Sequence, residues 1–185
     1  LIGKDGDPDS LSRLINIAAE TVNGRVLVVN SAGKVVSDSG VPGSVGSNYA
    51  SRPEIAAALG EAELIVIGPS NPVISIGPIL AVPGMREMIS AASAPVLAVS
   101  PYVAGKVIKG PTDLFMQAIE RPTTAAGVAS LYQGLIDAMI CDADDPDPPP
   151  PDVRSFSTKT LMHSKESRAS VGRAVLKVGR KLISE

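Results

Sequence analysis

Aromatic side chains make up only 3% of this 185-residue chain, and tryptophan is absent. A platform that stacks nucleic-acid bases is therefore poorly supplied, and the core must be mostly aliphatic. A single cysteine, Cys141, excludes an internal disulfide and a cysteine-based zinc site; such a lone thiol behaves as a small buried hydrophobe. The single histidine, His163, has no ligand partners at metal-binding spacings, and no nearby serine or aspartate has a nucleophile-elbow context. A formal net charge of -2 gives no global field toward phosphate polymers. Every apolar run is broken by Gly, Pro, Ser or charge before it reaches membrane-spanning length. No cationic, hydrophobic leader stands at the start. Glycine-rich dinucleotide and Walker-type phosphate loops are both missing. The expectation is a soluble, cytoplasmic protein with no nucleic-acid and no membrane partner. The chain opens on Leu1 rather than methionine, which raises the expectation of a fragment.

What is present is a packable chain. Hydrophobic residues reach 44%, enough for one ordinary domain with a real core. The first ten residues read as irregular. Leu11, Leu14, Ile15 and Ala18 fall at helical spacing, and the runs 25–30 and 34–38 read as two strands around the turn Ser31-Ala32-Gly33. Residues 40–51 are rich in Gly and Ser and predict a loop or linker. Pro53 opens a helix running to Gly60. Residues 1–50 are thus set apart, as a divergent segment holding a helix and a hairpin, from an α/β domain over 51–185.

From Glu63 onward, strands and helices alternate. Strands are predicted at Leu64–Ile67, Val96–Val99, Ala138–Cys141 and Val153–Ser157. Helices are expected around Arg86–Ile89, Asp113–Ile119 and Ala125–Gly134, and from about Ser164 to the end. This order is that of an α/β fold with a doubly wound, mostly parallel, Rossmann-like sheet, here incomplete.

In such sheets ligands bind beyond the carboxyl ends of strands. Two strand-end loops are rich in polar groups. One is Gly68-Pro69-Ser70-Asn71-Pro72, with Ser75 shortly after; the other runs from Ser100-Pro101 to Gly110-Pro111. If their strands are neighbours, Ser70, Asn71, Ser75 and Ser100 can hydrogen-bond a heterocycle or sugar, and Lys106 or Lys109 can reach a phosphate. Two ordinary crossover loops with solvated lysines would read the same. Asp142, Asp144 and Asp145 lie in an acidic, proline-rich loop; carboxylates can hold Mg²⁺, although charge blocks more often belong to exposed segments. The last segment carries Val171, Val175, Val178 and Leu182 at helical spacing under a basic outer face, the pattern of a helix docked on the sheet.

The stretch from Glu63 to Glu87, with Ile67-Gly68-Pro69-Ser70-Asn71-Pro72 and Ile76-Gly77-Pro78 at its centre, resembles the 2-phospho-L-lactate transferase family. Pro95–Pro101, Gly105–Pro111, Ala126–Tyr132, Cys141-Asp142 and Thr160–Met162 match later blocks in the same order, so the resemblance covers about Ser51 to Leu182. Gly3–Pro8 resembles a short upstream segment of the family, whereas Leu11 to Ala50 shows no visible family motif; Gly24 to Leu59 loosely resembles a bacterial sensor segment. The resemblance implies Mg²⁺-dependent transfer of a lactyl-phosphate or enolpyruvyl-phosphate group. The donor is GDP-linked, the acceptor is the hydroxyl of the deazaflavin Fo, and the product leads to coenzyme F420. It also implies that Gly68–Pro72 lines the cleft, with Ser75 and Ser100-Pro101 beside it. The family's glycine-rich opening half is absent, so the chain is expected to be inactive alone. A homodimer is left open. The alternative is a non-catalytic nucleotide- or metabolite-binding regulator of the gluconeogenesis-factor type.

Overall fold

Short apolar runs, Val96–Val99 and Ala138–Cys141, build the two central strands of the sheet, because strands covered on both faces have no side that must stay wet. The computed structural model describes residues 53–185 throughout, the segments 27–29 and 34–40, and positions 13, 16, 17, 20 and 45. Arg13, Asn16, Ile17 and Glu20 are helical and exposed; the rest of the helix expected over 11–24, and most of the 40–51 loop, lie outside the described residues. Strands β1 (Leu27–Val29) and β2 (Val35–Asp38) pair antiparallel, with an irregular register between Val28 and Val29.

The main sheet holds β3 (Ile65–Ile67), β4 (Val96–Val99), β7 (Ala138–Asp142) and β8 (Arg154–Thr158) in the order β3-β4-β7-β8, every pair parallel. The central strands β4 and β7 are buried at every position. One face packs under α1 (Pro53–Glu61), α3 (Met85–Ala91), α4 (Thr112–Ala118) and α5 (Ala125–Leu131), through Ile55, Leu59, Met85, Ile89, Met116, Val128 and Ala129. The opposite face, Leu97, Val99, Ala138 and Ile140, is covered by α6 (Lys165–Ile183) through Val175, Val178 and Leu182. Gly179 admits this approach: a Cβ there would lie 2.4 Å from Leu64 Cδ2. Among the described residues β3 pairs only with β4, and its Val66 is 45% exposed.

Two features depart from expectation. The segment after Gly68-Pro69 is a π-helical turn, Pro72–Ile76, that runs directly into the short helix α2 (Gly77–Leu80). The segment 100–111, expected as a plain loop, contains a small hairpin, β5 (Tyr102–Val103) and β6 (Lys106–Val107), closed by Ala104 and Gly105 at φ 49° and 72°. Paired positive φ values are what a two-residue hairpin turn demands. Its strands are only two residues long and its turn is Ala-Gly rather than Asn-Gly, so no periodic signal marks it. No single helix among the described residues is long and apolar enough to cross a membrane.

Candidate functional site

Because all four strands run the same way, their carboxyl ends meet on one rim. There Pro69 and Asn71 follow β3, Ser100 and Pro101 follow β4, the hairpin β5–β6 leads to Lys109, and Thr160 to His163 follow β8. Together with Val103, Val107, Ile108, Thr112 and Arg168 they enclose a cleft of about 520 Å³. A second cavity of about 510 Å³ adjoins it through Val103, Leu161 and His163 and adds Asp142, Asp144, Lys159 and Glu166. A larger cavity, about 770 Å³, lies at the opposite, amino-terminal ends of the strands. Its charged groups are already partnered: Asp137 Oδ2 accepts from Val96 N at 2.7 Å, and Arg154 is bound by Glu185. The rim cleft is the better candidate, since its cationic side chains are not so used.

Asn71 is fixed by its own loop. Its Oδ1 accepts from Val73 N at 2.9 Å and Ile74 N at 3.1 Å, capping the π-helical turn, and its Nδ2 donates to Thr112 Oγ1 at 3.0 Å. Asparagine before a helical turn performs this capping because its short amide reaches back to free N–H groups. The bond to Thr112, which is 1% exposed, ties the first rim loop to the start of α4. One amide hydrogen remains for a ligand.

Ser100 is 1% exposed; its N donates to Ile140 O at 2.9 Å and its Oγ accepts from Tyr102 N at 3.1 Å. Tyr102 Oη donates to Asp113 Oδ1 at 2.8 Å; burial, and then this contact, raise its phenol well above the ordinary range.

Of the residues read from the sequence, Pro69, Asn71, Ser100, Pro101 and Lys109 line the cleft. Gly68 and the buried Pro72 shape the loop behind it, and Ser70 and Ser75 are exposed outside it. Lys106, on β6, is exposed and does not line the cleft. The second wall, Thr160 to His163 with Arg168, carries no sequence signal toward this rim, because parallel pairing of β8 with β7 is what brings it there.

The acidic loop does not form a cation cage. Both oxygens of Asp142 are occupied by hydrogen bonds, Asp144 Oδ2 accepts from Lys159 Nζ at 2.6 Å, and Asp145 Oδ1 accepts from Gly105 N at 2.7 Å. Only Asp145 Oδ2 is buried without a partner, and no three metal-binding side chains converge among the described residues. The acidic loop therefore offers Mg²⁺ no convergent set of three protein ligands among the described residues. Burial opposes ionisation of Asp142, but bonds from Thr160, Asp144 and Ala104 outweigh it and hold the carboxyl below its usual range. Burial, then the charge of Asp145, push the Cys141 thiol up to about 11, so it stays protonated.

Comparison with known proteins places this rim in context. A family model described as 2-phospho-L-lactate transferase CofD matches residues 15–177, reaching well into the 11–50 stretch where no motif is visible. The chain is 46% identical over 96 residues to the phosphoenolpyruvate transferase of Streptomyces coelicolor, covering 51% of this chain and 30% of that protein. It is 37% identical over 131 residues to the phosphoenolpyruvate transferase of Mycobacterium ulcerans, covering 68% and 39%. A solved Bacillus halodurans protein of the UPF0052 family aligns with 18% identity and a TM-score of 0.46, covering 68% of this chain and 46% of that one. The chain thus spans between 30% and 39% of the length of these two transferases. The family match runs through both walls of the cleft, from Pro69 to Arg168, and this chain belongs to the 2-phospho-L-lactate transferase family.

Proposed function

We propose that this chain supplies the carboxyl-rim wall of a substrate cleft in a transferase of phosphate-containing groups of coenzyme F420 biosynthesis. A phospholactyl or phosphoenolpyruvyl group would pass from a GDP-linked donor to the hydroxyl of the deazaflavin Fo. The phosphorus–oxygen bond to the guanosine monophosphate leaving group breaks as a bond to the Fo oxygen forms, and the hydroxyl proton leaves. Such a reaction asks the protein chiefly to position the partners and to spread charge away from the phosphoryl oxygens.

One observation carries the reading. Among the described residues, Lys109, His163 and Arg168 line the cleft with no hydrogen-bond or ion-pair partner on their side chains, and no carboxylate lines it with them. Lys159 and Arg154, by contrast, are paired off. The same cleft has apolar walls in Val103, Val107, Leu161 and Met162, with Ile108 56% exposed. Uncompensated positive charge beside an apolar wall suits a ligand that is phosphorylated at one end and flat and apolar at the other. The names of the relatives favour a phosphoenolpyruvyl donor. The Mg²⁺ the family reaction calls for finds no complete ligand set among the described residues, so no step is assigned to it.

Titration calorimetry of the chain with GDP, and separately with Fo, tests the reading. Binding of GDP is expected, and Lys109→Ala and Arg168→Ala are each expected to weaken it about tenfold, the worth of one charge-assisted contact. Affinity should also fall as salt rises. Equal binding by wild type and both variants would remove the phosphate assignment. Binding of GDP by a complete enzyme without any transfer to Fo would favour a regulator instead.

A further inference from the structure

The cleft has two walls contributed by distant parts of the chain, and one carboxylate is bonded to both. On the hairpin side, Ala104 N donates to Asp142 Oδ1 at 3.2 Å. On the other side, Asp142 Oδ2 accepts from Thr160 N at 2.7 Å and Thr160 Oγ1 at 2.9 Å, at the head of the Thr160–His163 wall. Asp144 N completes the set with a bond to Oδ1 at 3.0 Å. Among the described residues no other hydrogen bond joins the hairpin to the Thr160–His163 segment.

The hairpin tip is gripped a second time. Gly105 N donates to Asp145 Oδ1, and a Cβ on Gly105 would lie 2.9 Å from Pro146 Cδ. Ala104 has φ 49°, a region that a side chain disfavours, so the turn needs support from outside itself. That support comes from the acidic loop, whose aspartates are used as hydrogen-bond acceptors.

We propose that Asp142 is a positioning residue that sets the separation of the two cleft walls, and through it the reach of Lys109 toward a bound phosphate. Asp142 is 4% exposed, touches only the adjoining cavity, and has both oxygens taken up by hydrogen bonds from the protein, so it acts through the walls and not on the ligand. The part of this inference that concerns ligand grip rests on the proposed function; the part that concerns geometry does not.

The test measures the two separately. Spin labels at Ile108→Cys and Met162→Cys, one on each wall, report the gap by pulsed electron resonance. Cys141 is buried and its thiol protonated, so it stays unlabelled. The parent chain is expected to give one narrow distance distribution. Asp142→Asn turns one acceptor oxygen into a donor facing N–H groups, so the distribution should broaden or shift. Thr160→Val removes one of the four bonds at constant shape and should give a smaller change of the same kind. If Asp142→Asn does not fold, Thr160→Val alone decides, and an unchanged distribution in whichever variant folds overturns the proposal.

On the unlabelled chain, Asp142→Asn should weaken GDP at least tenfold with the far-ultraviolet spectrum unchanged. Lys109→Ala should then cost little more in that background, because Lys109 no longer reaches its target. Additive losses would mean that Asp142 is a buttress of the fold and nothing more, which also overturns the proposal. If the parent chain does not bind GDP at all, the proposed function fails, while the distance measurement still decides whether Asp142 sets the gap.

Discussion

Asn71 is where a capping role and a ligand-binding role can be pulled apart. Replacing it with alanine removes two accepted bonds at the head of the π-helical turn, to Val73 N and Ile74 N, and one donated bond to the buried Thr112 hydroxyl. Loss of a cap costs about 1 kcal/mol, and a buried hydroxyl left without its partner adds about 1–3 kcal/mol. Together, Asn71→Ala should destabilise by about 2–4 kcal/mol, equivalent to a fall in Tm of roughly 5–15 °C for a chain of this size.

Asn71→Asp behaves differently. A carboxylate still accepts from both N–H groups, and the Thr112 hydroxyl can rotate to become the donor. Its stability should stay within about 1 kcal/mol of the parent, as expected for exchange between two good capping residues. The same change places a carboxylate on a cleft that has none among its described residues, so GDP affinity should drop while the fold survives. Urea unfolding followed by far-ultraviolet circular dichroism is the suitable assay, since the chain has no tryptophan to report by fluorescence. If Asn71→Asp unfolded as readily as Asn71→Ala, or if both matched the parent, capping would not be what the residue does.

Two further outcomes follow from the packing and the charges. Gly127→Ala in α5 would place a Cβ 1.9 Å from Pro122 O, a backbone atom that cannot swing aside. The gain of about 1 kcal/mol from alanine in a helix cannot offset that overlap, and a loss of about 3 kcal/mol or more is expected, read as a lower urea midpoint. The depressed ionisation of Asp142 stabilises the fold fully above the ordinary carboxylate range and loses that contribution as pH falls through the lower folded value. The stability gap between the parent and Asp142→Asn should therefore be widest near neutral pH and narrow on acidification below about pH 4, the range where unfolded aspartate titrates. A gap that stayed constant with pH would show that charge on Asp142 is not what its four donors reward.

The sheet is legible in the sequence for a simple reason. Val96–Val99 and Ala138–Cys141 are buried on both faces, and a strand with no wet side is written as an unbroken apolar run. The break at Gly68-Pro69 marks the end of β3 for the same reason. The second wall of the cleft is not legible. Thr160 and His163 lie far along the chain from Pro69, and nothing local indicates that β7 will draw β8 alongside it. Asn71 reads from the sequence as a ligand contact and not as a cap, because polarity can be read from a sequence and the occupancy of lone pairs cannot. Lys106 and Lys109 are indistinguishable by type and setting; only the folded hairpin, which leaves Lys109 in the cleft lining and Lys106 outside it, separates them.

The unpaired side of β3 has a practical meaning. It offers a row of backbone donors and acceptors with no partner strand among the described residues, and beside it Val66 is 45% exposed on one face of the strand. An edge of that kind is a template for another chain. The strand is only three residues long, which limits how firmly a stranger can be held. Where a second chain meets this edge, a charge introduced at position 66 should hold the two apart without disturbing the carboxyl rim.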